Sequence, residues 1–302
     1  MNILVTGAWR CTQEQLDKIR RLGHTVSFMQ NESDGLPVDP EWVEGLICNG
    51  LFLHHDIAIF PNLQFIQLTS AGYDRVPMEE VNRRGITIFN ARGVYGIPMA
   101  EFAVAGVLQL YKQSRFFGEN QKKRVWEKHG GLLELWGKQV TIVGCGNIGQ
   151  ECAQRFAAFG CRVIGVDLFE AQLPHIEKLY HISQLEQVLP ETDVLVLTLP
   201  LTEQTRHLIN AQRLGKMKKG AVVVNIARGA VVDTQALTQA LQSHLGGAVL
   251  DVFEEEPLDS QHPLWDMEHV LLSPHNSFTG DQNGLRLEQV ILSNLQSEHW
   301  KK

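Results

Sequence analysis

Three segments in the second half of the chain carry side chains suited to passing a hydride to or from a small 2-keto acid. Asn225-Ile226-Ala227-Arg228-Gly229 brings an arginine, Leu250 to Pro257 a run of glutamates at 254–256, and Leu272-Ser273-Pro274-His275 a histidine. Each follows a short apolar run that reads as a strand. A guanidinium forks onto a carboxylate and polarises an adjacent carbonyl. An imidazole gives a proton to a new alkoxide, or removes it in the reverse direction. A carboxylate behind an imidazole fixes its tautomer and favours its charged form. Taken singly, such an arginine is an ordinary loop residue, a glutamate run a solvated surface and Pro-His a turn. Their order behind a cofactor motif is what gives them a joint meaning.

That motif is Val140 to Asp167, VTIVGCGNIGQECAQRFAAFGCRVIGVD. A strand (Val140–Val143) runs into Gly144-Cys145-Gly146-Asn147-Ile148-Gly149, a helix follows with Cys152, Phe156 and Phe159 on its apolar face, and a second strand (Arg162–Val166) ends in an acid. Gly144 allows the tight turn, Gly146 lets backbone approach a pyrophosphate, and Gly149 lets helix and strand pack closely. The helix N-terminus at Asn147 and Ile148 offers free amides and a positive dipole end to phosphates. Asp167 lies at about the 20-residue spacing expected of the acid that holds the ribose hydroxyls. Its charge would repel a 2′-phosphate, and Leu168-Phe169-Glu170 supply no arginine to attract one. NAD(H) is therefore expected as cofactor in preference to NADP.

Strands and helices alternate on both sides of this motif. Strands are expected at Ile3–Thr6, Thr25–Met29, Leu46–Cys48, Phe65–Leu68 and Ile86–Phe89, with helices at Gln13–Leu22 and Pro77–Arg83. Pro98 opens a long helical pattern running past Arg115, with proline in the first turn where its missing N–H costs nothing. After Asp167 come strands at Asp193–Leu197, Ala221–Asn225, Ala248–Leu250 and Val270–Leu272, helices at Gln212–Met217 and Thr234–Gln242, and a terminal helix from Gly280. This is an α/β chain with two doubly wound parallel-sheet domains and no floppy linker, which implies a ligand crevice.

At 302 residues and 34.0 kDa there is room for two full cores. A net charge of −7 argues against a nucleic-acid surface. No apolar run reaches the ~18 residues of a membrane span, and MNILVTGAWRC reads as a strand rather than a signal peptide. Five cysteines, without a CxxC pair or Cys/His metal spacing, fit a reducing cytoplasm and suggest no metal site. Cys145 would lie beside the pyrophosphate, where a reactive thiol would make the protein thiol-sensitive.

The chain from about Leu63 to Leu295 resembles the D-isomer-specific 2-hydroxyacid dehydrogenase family, which includes phosphoglycerate dehydrogenases, hydroxypyruvate/glyoxylate reductases and D-lactate dehydrogenases. The resemblance is carried by LTSAGYDRV (68–76), FNARGVYGIPMAEFAVA (89–105), Leu135-Trp136-Gly137-Lys138, DVLVLTLPLTEQT (193–205), NIARGAVVD (225–233), GAVLDVFEEEP (247–257) and LLSPH (271–275). It implies that Arg228 binds substrate carboxylate and carbonyl, that His275 is the acid/base, and that Glu256 is its partner, with Glu254 and Glu255 solvated. It also implies that Asp251 holds the nicotinamide carboxamide, that Pro200 lies at the adenine end and Ala227 near the nicotinamide. Ala71 and Gly72 would offer backbone amides to the substrate carboxylate, and Glu101 would be structural.

The implied architecture is a Rossmann cofactor domain (94–274) inserted into a flavodoxin-like substrate domain (1–93 plus 275–302), with the long 98–117 helix building a homodimer. The implied activity is NAD-dependent interconversion of a small D-2-hydroxy acid and its 2-keto acid, with phosphoglycerate, hydroxypyruvate and glyoxylate as candidate substrates. Arg92, Lys112 and Arg115 are candidates for a substrate phosphate. The alternative is a non-catalytic NAD(H)-sensing scaffold of the same fold. A formate-type oxidiser would carry Gln where Glu256 stands. The chain departs from the family after the histidine, where Asn276-Ser277-Phe278-Thr279 replaces small residues and Phe278 would reshape the nicotinamide end. With the sequence stopping at Lys302, no added regulatory domain is expected.

Overall fold

The computed structural model describes residues 1–297; the part of the expected terminal helix at 298–302 lies outside the described residues. The chain forms two compact units, Met1–Tyr95 with the segment from Gly280, and Gly96–Thr279. The crossings thus fall a few residues beyond those expected, and His275 goes with the second unit.

The first unit is built on strands β1 (Asn2–Thr6), β2 (Thr25–Met29), β3 (Gly45–Cys48), β4 (Phe65–Leu68) and β5 (Thr87–Phe89), with helices α1 (Gln13–Arg21) and α2 (Met78–Arg84). The sheet order β2-β1-β3-β4-β5, all parallel, is that of the flavodoxin-like doubly wound fold. β3 and β4 are buried along their whole length, as parallel strands covered on both faces must be.

The second unit contains α3 (Gly96–Tyr111), α4 (Ser114–Lys123), β6 (Gln139–Val143), α5 (Asn147–Ala158), β7 (Arg162–Asp167), β8 (Lys178–His181), α6 (Leu185–Val188), β9 (Val194–Leu197), α7 (Ala211–Gly215), β10 (Val222–Asn225), α8 (Thr234–Ser243), β11 (Gly247–Leu250) and β12 (Val270–Leu272). Its seven parallel strands run β8-β7-β6-β9-β10-β11-β12. Counted within the unit this is 3-2-1-4-5-6-7, the dinucleotide-binding order with one added strand. The order reverses between β6 and β9, so the ligand crevice of such a sheet lies beyond the carboxyl ends of those two strands.

Beyond the short α6, which the sequence reading lacked, two elements differ from the expectation. The helix opened by Pro98 is broken: α3 buries most of its residues, α4 buries none, and Gln113 between them adopts a left-handed φ of 53°. The apolar spacing carries on past Tyr111, but the packing surface does not. The edge strand β8 went unforeseen because its side chains are half exposed and its sequence, KLYH, offers no apolar run.

The last helix, α9 (Asn283–Gln296), belongs to the first unit. Leu287, Ile291 and Leu295, at i, i+4 and i+8, pack with Ile3, Val5 and Ile19. Glu288 accepts from Lys18 at 2.5 Å and Gln15 at 3.0 Å, which fixes α9 to α1. Ile291 is fully buried, so Ile291→Ala should cost about 2–5 kcal/mol. A lowered urea midpoint for the first unit measures this.

Candidate active site

The crevice end of β6 is built by glycines whose constraints are visible one by one. Gly144 has a φ of +93°, a left-handed conformation that glycine adopts without strain. A Cβ on Gly149 would lie 2.1 Å from the Gly144 carbonyl oxygen, so α5 can begin this close to β6 only without one. Nothing lies within 4 Å of a Cβ on Gly146, which leaves the space above the loop open. The first α5 amide used within the helix is that of Gln150, bonded to the Gly146 carbonyl. Those of Asn147, Ile148 and Gly149 are left for a ligand, as at any helix start. Asp167, ending β7, accepts from the Cys145 N–H at 2.5 Å and the Leu168 N–H at 2.6 Å. Thr198 at the end of β9 donates to the Gly144 carbonyl at 2.6 Å, and Pro200 follows two residues on, exposed. Open glycine backbone, a free helix N-terminus and an acid at the next strand end fit a dinucleotide with an unphosphorylated ribose.

Cys145 sits inside this loop but faces the core. Its Sγ lies 3.6 Å from the Ile142 carbonyl, and burial, with Asp167 nearby, pushes the thiol up to about 12. Only the thiolate is a nucleophile, so the structure corrects the expectation of thiol sensitivity at this residue.

The arginine, acid and histidine all lie in the second unit, on loops beyond the carboxyl ends of β10, β11 and β12. Asn225 clamps the first loop, accepting from the Ala227 N–H and donating to the Arg228 carbonyl, both at 3.1 Å. A Cβ on Gly229 would stand 1.8 Å from the carbonyl carbon of Phe253, so only glycine lets the arginine loop touch the acid loop. Glu256 accepts the Phe253 N–H through Oε1 at 3.0 Å, and its Oε2 lies 3.0 Å from Nδ1 of His275. The imidazole is therefore held at one nitrogen, with Nε2 as its remaining polar atom. Phe278 stands edge-on to this ring, centroids 6.2 Å apart. The departure from the family's small residues thus places an aromatic wall beside the histidine.

Asp251 does more than the sequence suggested. It is 1% exposed and is wrapped by the histidine loop, with Ser273 Oγ and the Asn276 N–H on Oδ1 and the Ser277 N–H on Oδ2. Its backbone carbonyl also accepts the His275 N–H at 2.7 Å. His275 itself takes a left-handed φ of 51°, which the anchored loop imposes.

Glu254 is not simply solvated. It accepts the Thr234 N–H at the start of α8 at 2.8 Å and pairs with Nε2 of His207. Burial raises its carboxyl, but the bonds from Thr234 and His207 outweigh that and hold it below the usual carboxylate range. The resemblance singled out Glu256 in the EEE run, but nothing in the run signals that Glu254 has partners of its own.

In the first unit, the carbonyls of Ala71 and Gly72 are taken by Asn90 Nδ2 at 2.7 Å and Ser70 Oγ at 3.2 Å. Neither residue's own amide donates to another group among the described residues. Of the three cations considered for a phosphate, Lys112 donates to the Leu133 carbonyl and Arg115 to that of Met267, while Arg92 lines a cavity of the first unit. Glu101 pairs with Arg155 on α5 at 3.3 Å. No group of three His, Cys, Asp or Glu that could hold a metal occurs among the described residues.

Residues 104–277 match the family model of the D-isomer specific 2-hydroxyacid dehydrogenase, NAD binding domain. A glyoxylate reductase of Thermofilum pendens is 35% identical over 248 residues, 78% of this chain and 71% of the relative. The crystal structure of D-lactate dehydrogenase from Aquifex aeolicus complexed with NAD and lactic acid superposes with a TM-score of 0.78 at 25% identity, covering 98% of this chain and 94% of that one. A D-isomer specific 2-hydroxyacid dehydrogenase from Xanthobacter autotrophicus Py2, in complex with NADPH and MES, gives 0.79 at 28% identity, covering 98% and 94%. The chain belongs to the D-isomer-specific 2-hydroxyacid dehydrogenase family. It is an NAD-dependent oxidoreductase that interconverts 2-hydroxy and 2-keto acids.

Two outcomes follow from the wrapped and paired carboxylates. Asp251→Ala leaves the histidine loop's donors without their acceptor, at a cost of about 1–3 kcal/mol, and should lower turnover more than NADH affinity; calorimetric unfolding and initial rates measure the two effects. Because the Glu254 pKa is lowered on folding, its contribution is present at neutral pH and lost as pH falls through the lowered value. Glu254→Gln should therefore be less stable than the parent near pH 7, with the difference shrinking in acid. Urea midpoints across that range report it.

Proposed function

We propose that the protein reduces a small 2-keto acid of the glyoxylate class with NADH, and oxidises the D-2-hydroxy acid in reverse. The observation that carries this reading is the His275–Glu256 pair at 3.0 Å, anchored through Phe253 and set on a loop wrapped around Asp251. Bound in the glycine crevice, NADH supplies the hydride. Arg228 forks onto the substrate carboxylate and polarises the keto oxygen. His275 delivers a proton from Nε2 to the oxygen as it becomes an alkoxide, while Glu256 holds Nδ1 and stabilises the imidazolium between turnovers. Asp251, placed beside the nicotinamide by family resemblance, serves the histidine through the loop it anchors. Phe278 narrows the space beside His275 and favours short substrates such as glyoxylate and hydroxypyruvate.

We further infer a homodimer. Val125, Trp126, Leu132 and Leu133 after α4 are exposed, Trp126 completely, and this much exposed apolar surface in one short segment supports an interface. No helix among the described residues is long and apolar enough to cross a membrane. With five free cysteines, none disulfide-bonded, the reading extends to a reducing, cytoplasmic setting.

NADH consumption with glyoxylate, hydroxypyruvate, pyruvate and 3-phosphohydroxypyruvate tests the substrate class, with the two-carbon and unphosphorylated three-carbon acids expected to turn over fastest. His275→Ala should lower kcat by roughly 10²–10⁴-fold with little change in NADH binding. Tight NADH binding without turnover of any of these acids overturns the reading and leaves the cofactor-sensing scaffold. Trp126→Glu should shift the sedimenting species from dimer to monomer.

A further inference from the structure

A cavity of about 820 Å³ opens within the first unit, between the end of β5 and one stripe of α9. Leu287, Ile291 and Leu295 turn the apolar stripe of α9 into the core. The adjacent stripe carries Arg286, Gln289, Val290 and Asn294, which line the cavity together with Phe89 and Arg92. Two arginines and no acidic residue line this cavity, in a protein of net charge −7. The lining is mixed, polar and apolar, and open to solvent.

One of the two cations is positioned by its own hydrogen bonds. Arg286 donates through Nε to the Val94 carbonyl and through Nη2 to Asn283 Oδ1, both at 2.8 Å. Those bonds fix the plane of the guanidinium and leave Nη1 unspent on any carboxylate. The Arg92 backbone is pinned by its N–H to Asn90 Oδ1 at 3.2 Å. Its side chain makes no ion pair among the described residues. Two forked donors over a wall made by Phe89 and Val290 suit a molecule with a charged end and a short apolar body.

We propose that this cavity is a binding site for a small organic oxyanion, a carboxylate or phosphate held by Arg92 and Arg286. None of Arg228, Glu256 and His275 lines it. Its lining lies wholly in the first unit and also includes Tyr73 and Asn90, whose side-chain amide holds the Ala71 carbonyl.

Isothermal titration of the full-length, NADH-bound protein tests this, with malonate, 3-phosphoglycerate and inorganic phosphate as separate probes. Malonate and inorganic phosphate distinguish a carboxylate from a phosphate as the preferred group. At least one probe should bind with one-to-one stoichiometry in the Arg228→Gln variant, where the proposed substrate carboxylate site is removed. Arg92→Gln and Gln289→Glu, both at exposed positions, should each weaken that event tenfold or more in the Arg228→Gln background, while NADH affinity, the check on folding, stays unchanged. Absence of binding in Arg228→Gln, or binding that survives both cavity substitutions, overturns the proposal.

Discussion

A buried carboxylate organises the candidate active site of this protein. Asp251 stands at the end of β11 with almost no exposure, and an ion in that position persists only if its oxygens are satisfied. The chain satisfies them by folding residues 273–277 around it. The price of that wrap is a histidine in the left-handed region, and its consequence is a fixed direction for the imidazole. Were the loop held by side-chain packing alone, His275 would have no reason to meet Glu256 at hydrogen-bonding distance.

The second constraint is steric. Gly229 and Gly149 are both places where a single Cβ would collide with backbone, at 1.8 Å and 2.1 Å. At the first, the arginine loop rests on the acid loop; at the second, the cofactor helix rests on its strand. Parallel strands deliver all these loops to one edge of the sheet, because every strand points the same way. The candidate site is in this sense a property of strand direction, with glycines setting how closely its parts approach. Glu254, bonded to His207 and the start of α8, braces the same acid loop from its other side.

Much of this was legible in the residues. Apolar runs of four or five bounded by turns located most of the strands, since a strand buried on both faces has little room for polar side chains. β8 escaped because an edge strand is free of that requirement. The break between α3 and α4 escaped because periodicity reports which face is apolar, not where the surface that receives it ends. Cys145 looked reactive from its neighbours in sequence, yet its side chain turns inward, and only packing reveals that.

The sequence by itself determined most of the elements, the glycine loop and which residue types could carry chemistry, because glycine spacing, apolar period and residue type are local properties of the chain. Tertiary structure decided that Glu254 is bonded rather than solvated, that Asp251 is spent on the histidine loop, and that α9 brings an arginine beside Arg92. Those outcomes depend on groups distant in sequence competing for the same few donors and the same small volumes. That competition is resolved only when the sheets are assembled.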